Sequence, residues 1–284
     1  MKKLVLGILL SIFIYSCGNR PKESVPMLIV AEEKIDTVSI PSSDTLGCVE
    51  EVLPVEHPQT DEHFENFIYA YASDERLQRK RTRFPLSYYE EDKPMKIEEK
   101  DWAHDSLFIH QNHYTLLFDH EDELELVGDS LLTSVQFDWI YLATAQVKRY
   151  YFERIEGKWM LEAINLRHIE ELVDESFVNF YAKFVADTAF QSRHIHQPLI
   201  YVTIDPDDEF SLLETTLDLN QWFAFEPMLP QVKLTNICYG QHNEDHSDKK
   251  ILKVNGIDNG YTNIFYFQRR EGEWELYKYE DAGI

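Results

Sequence analysis

The stretch between residues 242 and 248 holds the densest group of metal-binding side chains in the sequence. His242 and His246 are four residues apart, with acidic residues between and after them. Two imidazoles with nearby carboxylates form a ligand set that zinc accepts. The order differs from the helical His-Glu-x-x-His motif, and the stretch lies between predicted strands, so a solvated polar turn is the alternative. His242 and His246 are therefore one candidate metal site.

A second pair of imidazoles, His194 and His196, is spaced two residues apart in a predicted extended segment. Alternate residues of a strand point to the same face, so this pair could also hold a metal. A similar stretch occurs earlier in the chain, and its residues at the positions of His194 and His196 are Arg81 and Arg83. Because that stretch carries arginines on this face, solvent exposure or a contact between the two stretches is the alternative.

Asp138 is the carboxylate that best suits catalysis, because it lies in a predicted strand beside Trp139 and Tyr141. Burial would raise the pKa of this carboxyl, and the group could then act as a base. The alternative is that Asp138 faces solvent or caps the end of the strand. The sequence contains no nucleophile elbow, phosphate loop or dinucleotide-binding glycine motif, and no cofactor is predicted.

These candidates lie in a chain that contains an internal repeat. Residues 61–86 recur without a gap at 174–199, and residues 150–161 recur at 265–276. Two matches at nearly the same spacing indicate a duplicated unit of about 110 residues, which is the size of a domain.

Each unit is predicted to begin with a helix and to end with a hairpin. The repeated residues that indicate this are, in pairs, Phe64 and Phe177, Gly157 and Gly272, and Trp159 and Trp274. The first pair opens apolar stripes with helical spacing, and the second marks turns between aromatic-rich strands. The tryptophans follow these turns at equivalent places, and we expect both to be buried in the core of their unit.

The order of elements predicts an α+β fold with two tandem units, each an N-terminal helix packed on an antiparallel sheet. We assign residues 61–167 to unit one and residues 174–284 to unit two. Phe210–Phe225 is expected to be a loop or helix, and Glu90–Lys100 an irregular acidic stretch. The two sheets are expected to pack on each other, because the hairpin strands carry large side chains on both faces.

The first sixteen residues have the pattern of an export signal. Two lysines precede a twelve-residue apolar run that is too short to span a bilayer. Ser16 and Cys17 follow, and this resembles the lipobox of bacterial lipoproteins, in which the cysteine is acylated and becomes the mature N-terminus. A plain secretory signal is the alternative. Residues 1–16 are thus predicted to be a signal peptide, and residues 17–60 a lipidated, flexible tether.

The predicted mature chain is strongly acidic. Without the leader it has 25 basic and 51 acidic side chains, a formal charge of −26. This charge argues against nucleic acid as a partner and against direct contact of the protein with anionic lipid. We expect the acyl chains at Cys17 to attach the protein to a membrane of the cell envelope, at the outer membrane or the periplasmic face.

One helix followed by a run of strands resembles the cone-shaped, cystatin-like fold of the nuclear-transport-factor-two-like superfamily. The resemblance implies two tandem cone-shaped units, each with its N-terminal helix packed on a curved antiparallel sheet. With the lipobox and two units, the chain also resembles an uncharacterised family of exported Bacteroidota lipoproteins, a domain of unknown function. The resemblance implies that an active site would lie inside a cone, where enzymes of this fold place an acid–base pair with tyrosines. That family has no assigned activity, so the resemblance transfers no site residue.

A duplicated fold without a convincing catalytic set favours a non-enzymatic binding or scaffolding module, whose ligand could be a protein, a glycan or a small molecule. Two alternatives stay open. One is an enzyme of the hydrolase or isomerase type with an acid–base residue in a cone cavity. The other is a metal-binding protein at His242 and His246. A carboxylate–histidine or carboxylate–tyrosine pair inside a cone would favour the enzyme.

We predict that Cys17→Ser releases the protein from the membrane, because the substitution removes the side chain that would be acylated. Cells that produce each version would be fractionated and the membrane fraction probed for the protein. Cys48→Ser is the matched control and should stay in the membrane fraction. Equal membrane retention of the Cys17→Ser variant and the natural protein would contradict the lipoprotein assignment.

Overall fold

The computed structural model describes residues 63–91, 93–125, 132–171, 174–239 and 247–283. These residues form helices and strands in the same order in the two halves of the chain, residues 61–167 and 174–284. The helices are α1 (Phe64–Ser73), α2 (Glu75–Lys80), α3 (Glu175–Ala186), α4 (Thr188–Arg193) and α5 (Leu219–Phe225). The strands are β1 (Thr82–Glu90), β2 (Lys93–Ile97), β3 (His113–Phe118), β4 (Ser134–Tyr141), β5 (Gln146–Ile155), β6 (Lys158–His168), β7 (Ile195–Asp205), β8 (Asp208–Leu217), β9 (Lys233–Cys238), β10 (Lys249–Gly256), β11 (Thr262–Arg270) and β12 (Glu273–Asp281).

The apolar stripes of α1 and α3 are buried, as their helical spacing predicts. Each of these helices is followed by a short second helix, α2 or α4. Asp74 caps α2 by accepting hydrogen bonds from two backbone N–H groups, and Asp187 caps α4 in the same way. None of the helices in the described residues is long and apolar enough to cross a bilayer.

The strands form two six-stranded sheets. The order in the first sheet is β2-β1-β6-β5-β4-β9, and the order in the second is β3-β10-β11-β12-β7-β8. All neighbours are antiparallel except β1 with β6 and β7 with β12, which are parallel. The α+β class and the packing of a helix on each sheet are confirmed, and the sheets are mixed.

Each sheet is completed by a strand from the other half of the sequence. β3 belongs to the first half of the chain, yet it pairs with β10 in the second sheet. β9 occupies the equivalent place in the second half and pairs with β4 in the first sheet. The halves therefore exchange one strand each, a connection that the expectation of two stacked sheets did not include.

The exchanged strands meet at a pair of buried threonines. The Thr115 hydroxyl accepts from the Thr235 N–H (2.7 Å) and donates to the Thr235 carbonyl (2.5 Å). The Thr235 hydroxyl accepts from the Thr115 N–H (2.6 Å) and donates to the Thr115 carbonyl (2.8 Å). These four bonds satisfy backbone groups that are buried away from water. Reciprocal bonding between equivalent residues places the pseudo-twofold axis of the duplicated chain at this crossing.

Both exchanged strands lie between two hydrophobic cores. Leu116 and Phe118 pack in the core that contains α1, whereas Leu117 packs in the core that contains α3. This alternation follows from the two-residue period of a strand. In β9, Ile237 packs with the first core and Leu234 with the second. Each exchanged strand thus stabilises both cores.

Trp159 and Trp274 are buried at equivalent places, as the repeat predicts. The Trp159 ring packs edge-on against Phe64, with centroids 5.1 Å apart. The Trp274 ring packs edge-on against Phe177, with centroids 5.4 Å apart. These equivalent pairs are among the aromatic contacts that join each helix to its hairpin.

The hairpin turns at Gly157 and Gly272 need backbone conformations that favour glycine. Their φ angles are +78° and +89°, and the preceding Glu156 and Glu271 also have positive φ. Two consecutive residues with positive φ form the turn whose twist matches that of the flanking strands.

Two expectations about local structure were wrong. Asp208–Leu217 forms strand β8, where we expected a loop or helix, and Lys93–Ile97 forms strand β2 inside the expected irregular stretch. Both are edge strands with mostly exposed residues on both faces. Their sequences therefore lack the alternation of polar and apolar residues that reveals a half-buried strand.

We predict that Thr235→Val lowers the free energy of unfolding by about 1–3 kcal/mol for each buried backbone group of Thr115 that loses its partner. The loss should appear in one cooperative transition of the whole folded body, because the crossing belongs to both sheets. Urea unfolding followed by tryptophan fluorescence measures it. Thr216→Val, on the exposed face of the edge strand β8, is the control and should leave the midpoint nearly unchanged. Separate transitions for the two halves would contradict the role given to the crossing.

Candidate functional site

A buried glutamine and a buried tryptophan recur in the two halves at the open end of each helix–sheet core. Gln78 and Trp102 form this glutamine–tryptophan frame in the first half, and Gln191 and Trp222 form it in the second. In each case the glutamine lies in the short second helix, and the indole N–H donates to its side-chain oxygen. The helix caps at Asp74 and Asp187 fix the direction of both short helices.

In the first half, the frame is filled by the chain itself. The Gln78 amide donates to the carbonyl of Tyr71 (3.0 Å) and to the carbonyl of Asp105 (2.8 Å). Its oxygen accepts from Trp102 Nε1 (3.1 Å) and from the backbone N–H of Asp105 (2.8 Å). A side-chain amide has two donors and two acceptor positions, so the hydrogen-bonding capacity of Gln78 is fully used.

In the second half, Gln191 makes only two of these bonds. Its amide donates to the carbonyl of Phe184 (3.2 Å), and its oxygen accepts from Trp222 Nε1 (3.4 Å). No described residue bonds the other N–H or the other lone pair. Gln191 is only 9% exposed, so this half of the amide has little access to bulk water.

The two frames differ because the chain leaves each tryptophan along a different path. Trp102 follows a single 3-10 turn, and the chain then extends to Asp105, where it reaches Gln78. Trp222 lies inside α5, and the helix carries the chain on to Phe225. The residue equivalent to Asp105 is Phe225, and its place at the end of α5 keeps it from bonding Gln191.

The longer helix has a local cause in the sequence. Asp218 and Gln221 form a reciprocal capping box that satisfies the free N–H groups at the start of α5. Phe225 at its end packs against Tyr201, with ring centroids 5.3 Å apart. These contacts hold α5 in place over the sheet and leave space beside Gln191.

That space is a cavity of about 490 Å³ between α3, α4, α5 and the segment that follows α5. Its wall exposes apolar side chains together with polar groups, and the polar residues that line it are Thr188, Gln191, Glu226 and Gln231. The full set of lining residues is Phe184, Val185, Thr188, Gln191, Trp222, Phe223, Glu226, Pro227, Met228, Leu229 and Gln231. A cavity that combines apolar side chains with a few fixed polar groups is the usual form of a small-ligand site.

The first half has a cluster of ionisable groups at the equivalent place. Tyr150 donates a short hydrogen bond to the Asp105 carboxylate, and Lys148 Nζ lies 3.1 Å from the same oxygen. Burial alone would raise the pKa of Asp105, but the Lys148 charge and the Tyr150 and Leu107 hydrogen bonds hold it below its usual value. Burial and the Asp105 charge raise the pKa of Tyr150 well above its usual value. At neutral pH Asp105 is therefore an anion beside a neutral tyrosine.

Asp138 is buried but lies in an ion pair. Arg149 Nε and Nη2 donate to its two carboxylate oxygens at 2.7 and 2.6 Å. Burial raises the pKa of Asp138, and the Arg149 guanidinium acts in the opposite direction. Strand alternation places Asp138 on the sheet face opposite Phe137 and Trp139, which pack in the first core. A carboxylate held by two arginine bonds is poorly placed to take a proton from a substrate.

The histidines proposed as metal ligands have separate contacts. His194 stacks on Phe190 and bonds its carbonyl at 2.8 Å, and His196 Nδ1 lies 3.6 Å from Glu275. Among the described residues, no group of three or more His, Cys, Asp or Glu side chains is arranged to hold a metal ion. His242, His246 and the predicted lipidation site Cys17 lie outside the described residues.

The sequence indicates only half of this site. Gln78 and Gln191 match within the repeated stretch, but a match of glutamines alone does not indicate a shared tryptophan partner. Trp102 and Trp222 lie 120 residues apart, a larger spacing than the other matches, so the repeat does not pair them. Their equal distance from Thr115 and Thr235 is the signal that would have found them.

Comparisons with known proteins agree with this architecture. A model of a domain of unknown function, DUF4348, matches residues 47–281. The crystal structure of an NTF2-like protein from Bacteroides fragilis NCTC 9343 is similar, with 59% sequence identity and a TM-score of 0.75, over 80% of this chain and 98% of that chain. No curated protein matches the chain. Because the family model covers most of the sequence, the chain belongs to the DUF4348 family, a domain of unknown function with an NTF2-like fold.

Proposed function

We propose that this protein is a non-enzymatic binding module, and that its binding site is the cavity beside Gln191. The observation that carries the proposal is a buried amide with one donor and one acceptor that no described residue uses, in the wall of a cavity lined in part by apolar side chains. Leaving buried polar groups without partners costs free energy. A ligand that supplies those partners would recover this cost and would bury apolar surface as well.

The chemistry of the cavity wall suits binding better than catalysis. Glu226 is the one ionisable side chain among the residues that line the cavity, and it is exposed. Acid–base catalysis needs a group whose pKa is tuned by its surroundings and which lies within reach of the substrate. The wall instead provides shape, apolar surface and a fixed amide.

We further propose that the binding module is tethered to the cell envelope through Cys17. Support comes from the basic start, the short apolar run and the Ser16-Cys17 pair, together with the proline-rich composition of the stretch up to residue 60. A long tether would let the cavity reach a ligand at some distance from the membrane surface.

A prediction about the cavity follows from its size and wall. Thr188→Trp should fill it and weaken binding of the apolar dye 1-anilinonaphthalene-8-sulfonate by about tenfold or more. Glu75→Trp is the matched control, because Glu75 is the equivalent residue of the first half, where the frame is already filled. Dye fluorescence titrations measure both variants. Equal dye affinity in the natural protein and in Thr188→Trp would contradict the assignment of the cavity as the binding site.

The alternative function is an enzyme with its active site in the first half, and the Asp105–Tyr150 pair favours it. This is the carboxylate–tyrosine pair that such an enzyme would need inside a cone. However, Lys148 keeps the Asp105 carboxylate charged and lowers its basicity, and Gln78 binds the backbone of the same residue. These contacts suit a structural role, in which Asp105 fixes the segment that fills the frame. The metal alternative at His242 and His246 remains a hypothesis from the sequence.

The structural role of Asp105 predicts a defined pH dependence. Its folded pKa lies below the unfolded value of about 3.9, so its contribution to stability is present above that value and is lost as the pH falls through the folded pKa. Asp105→Asn should lower the free energy of unfolding at pH 7 by about 1–3 kcal/mol, and the difference should shrink towards pH 3. Urea unfolding at the two pH values tests this, with Asp101→Asn in the exposed 3-10 turn as control. An Asp105→Asn variant as stable as the natural protein, or more so, would favour the catalytic alternative, because catalytic groups are held at a cost to stability.

A further inference from the structure

We propose that the cavity beside Gln191 recognises a short extended peptide, through paired hydrogen bonds between the Gln191 amide and the N–H and C=O of one peptide residue. This inference rests on the proposed binding function and adds the class of ligand. The ligand would offer one backbone donor and one backbone acceptor from the same residue, with apolar side chains next to them.

The first half of the chain contains the template for this interaction. Gln78 donates to the Asp105 carbonyl and accepts from the Asp105 N–H, both at 2.8 Å. The side-chain amide thus pairs with a single residue of backbone, as a neighbouring strand would. The two glutamines occupy equivalent places, and each accepts from the equivalent indole N–H. Gln191 therefore presents the groups that in the first half bind a peptide backbone.

The second half offers no chain of its own for this pairing among the described residues. The residue equivalent to Asp105 is Phe225, which ends α5 and packs on Tyr201. The Gln191 bonds to Phe184 and Trp222 fix the orientation of the amide, so the unused N–H and lone pair are set before a ligand arrives. A preorganised amide loses little side-chain entropy on binding.

The neighbouring residues define which peptide fits. In the first half the chain that follows Asp105 buries Leu107 and Phe108, and the cavity beside Gln191 offers apolar side chains such as Phe223 and Leu229 in its wall. Lys148 and Tyr150, which hold the Asp105 carboxylate, are replaced by Asn263 and Phe265 at the aligned positions. The paired residue of the ligand should therefore be uncharged and should be followed by apolar residues.

The size of the cavity limits the ligand to a few residues. Its volume of about 490 Å³ lies in the range of small-molecule sites, roughly 300–1,000 Å³. The capped peptide N-acetyl-Ala-Ser-Leu-Phe-amide copies the segment that fills the first frame, with alanine in place of the aspartate. It is the probe for the test.

The test measures the affinity of this peptide for the full chain by isothermal titration calorimetry. An analogue with lactic acid in place of alanine has an ester oxygen where the peptide has the paired N–H. We expect the analogue to bind about tenfold more weakly to the natural protein, because the Gln191 oxygen loses its donor. Gln191→Leu should bind the peptide at least about tenfold more weakly, whereas Ser192→Ala, in the same helix but not among the residues that line the cavity, should bind it normally.

The outcomes separate this inference from the binding function. Dye binding that Thr188→Trp blocks, with no peptide binding, would overturn the peptide assignment and leave the cavity as a binding site. If the natural protein binds neither the dye nor the peptide, the binding function is overturned as well. Equal affinity of the natural protein for the peptide and for its ester analogue would also overturn the inference. Because this comparison uses the natural protein alone, it does not depend on the folding of a variant.

Discussion

The structure depends on the crossing of β3 and β9 at Thr115 and Thr235. The backbone of each strand pairs with the sheet of the other half, and its side chains pack in both cores. At the crossing, the two threonine hydroxyls satisfy backbone groups that would otherwise be buried without partners. Neither half completes its six-stranded sheet without a strand from the other, so the two halves are joined with internal pseudo-symmetry. Lys250 strengthens this connection, because the buried ammonium group joins Asp119, at the end of β3, to Asp174, at the start of α3.

Both halves share the crossing, but their two glutamine–tryptophan frames differ in chemistry. Both halves keep a glutamine in the second helix and a tryptophan that donates to it, and both return to the crossing after the same number of residues. In the first half the intervening chain closes the frame, and the Asp105 carboxylate is neutralised by Lys148 inside it. In the second half a capped helix takes up the same length of chain and leaves a cavity. The amide of Gln78 is thus fully bonded, while the amide of Gln191 keeps one donor and one acceptor that no described residue uses.

The sequence predicted the repeated parts of this fold well. The stripes that begin at Phe64 and Phe177 predicted α1 and α3, and the glycine turns predicted the final hairpins. The edge strands β2 and β8 were missed because exposure on both faces removes the two-residue pattern. The strand exchange was also missed, since the residue types of β3 and β9 do not encode which of two equivalent sheets they join. Chemical motifs do not reveal the site, because an amide that binds a backbone has no titratable group. Gln191 differs from Gln78 only in the path of the chain after the neighbouring tryptophan, which a motif does not show.

Two equivalent glutamine–tryptophan frames are thus occupied in one half of the chain and open in the other. Nuclear magnetic resonance of the glutamine side-chain amides measures this directly, through the exchange of each Nε2 proton with solvent. We expect both protons of Gln78 to be protected by their hydrogen bonds, whereas one proton of Gln191 is protected by Phe184 and the other, which has no described partner, exchanges faster. Equal protection of both protons of Gln191 in the ligand-free protein would contradict the claim, because the second frame would then be filled as the first is.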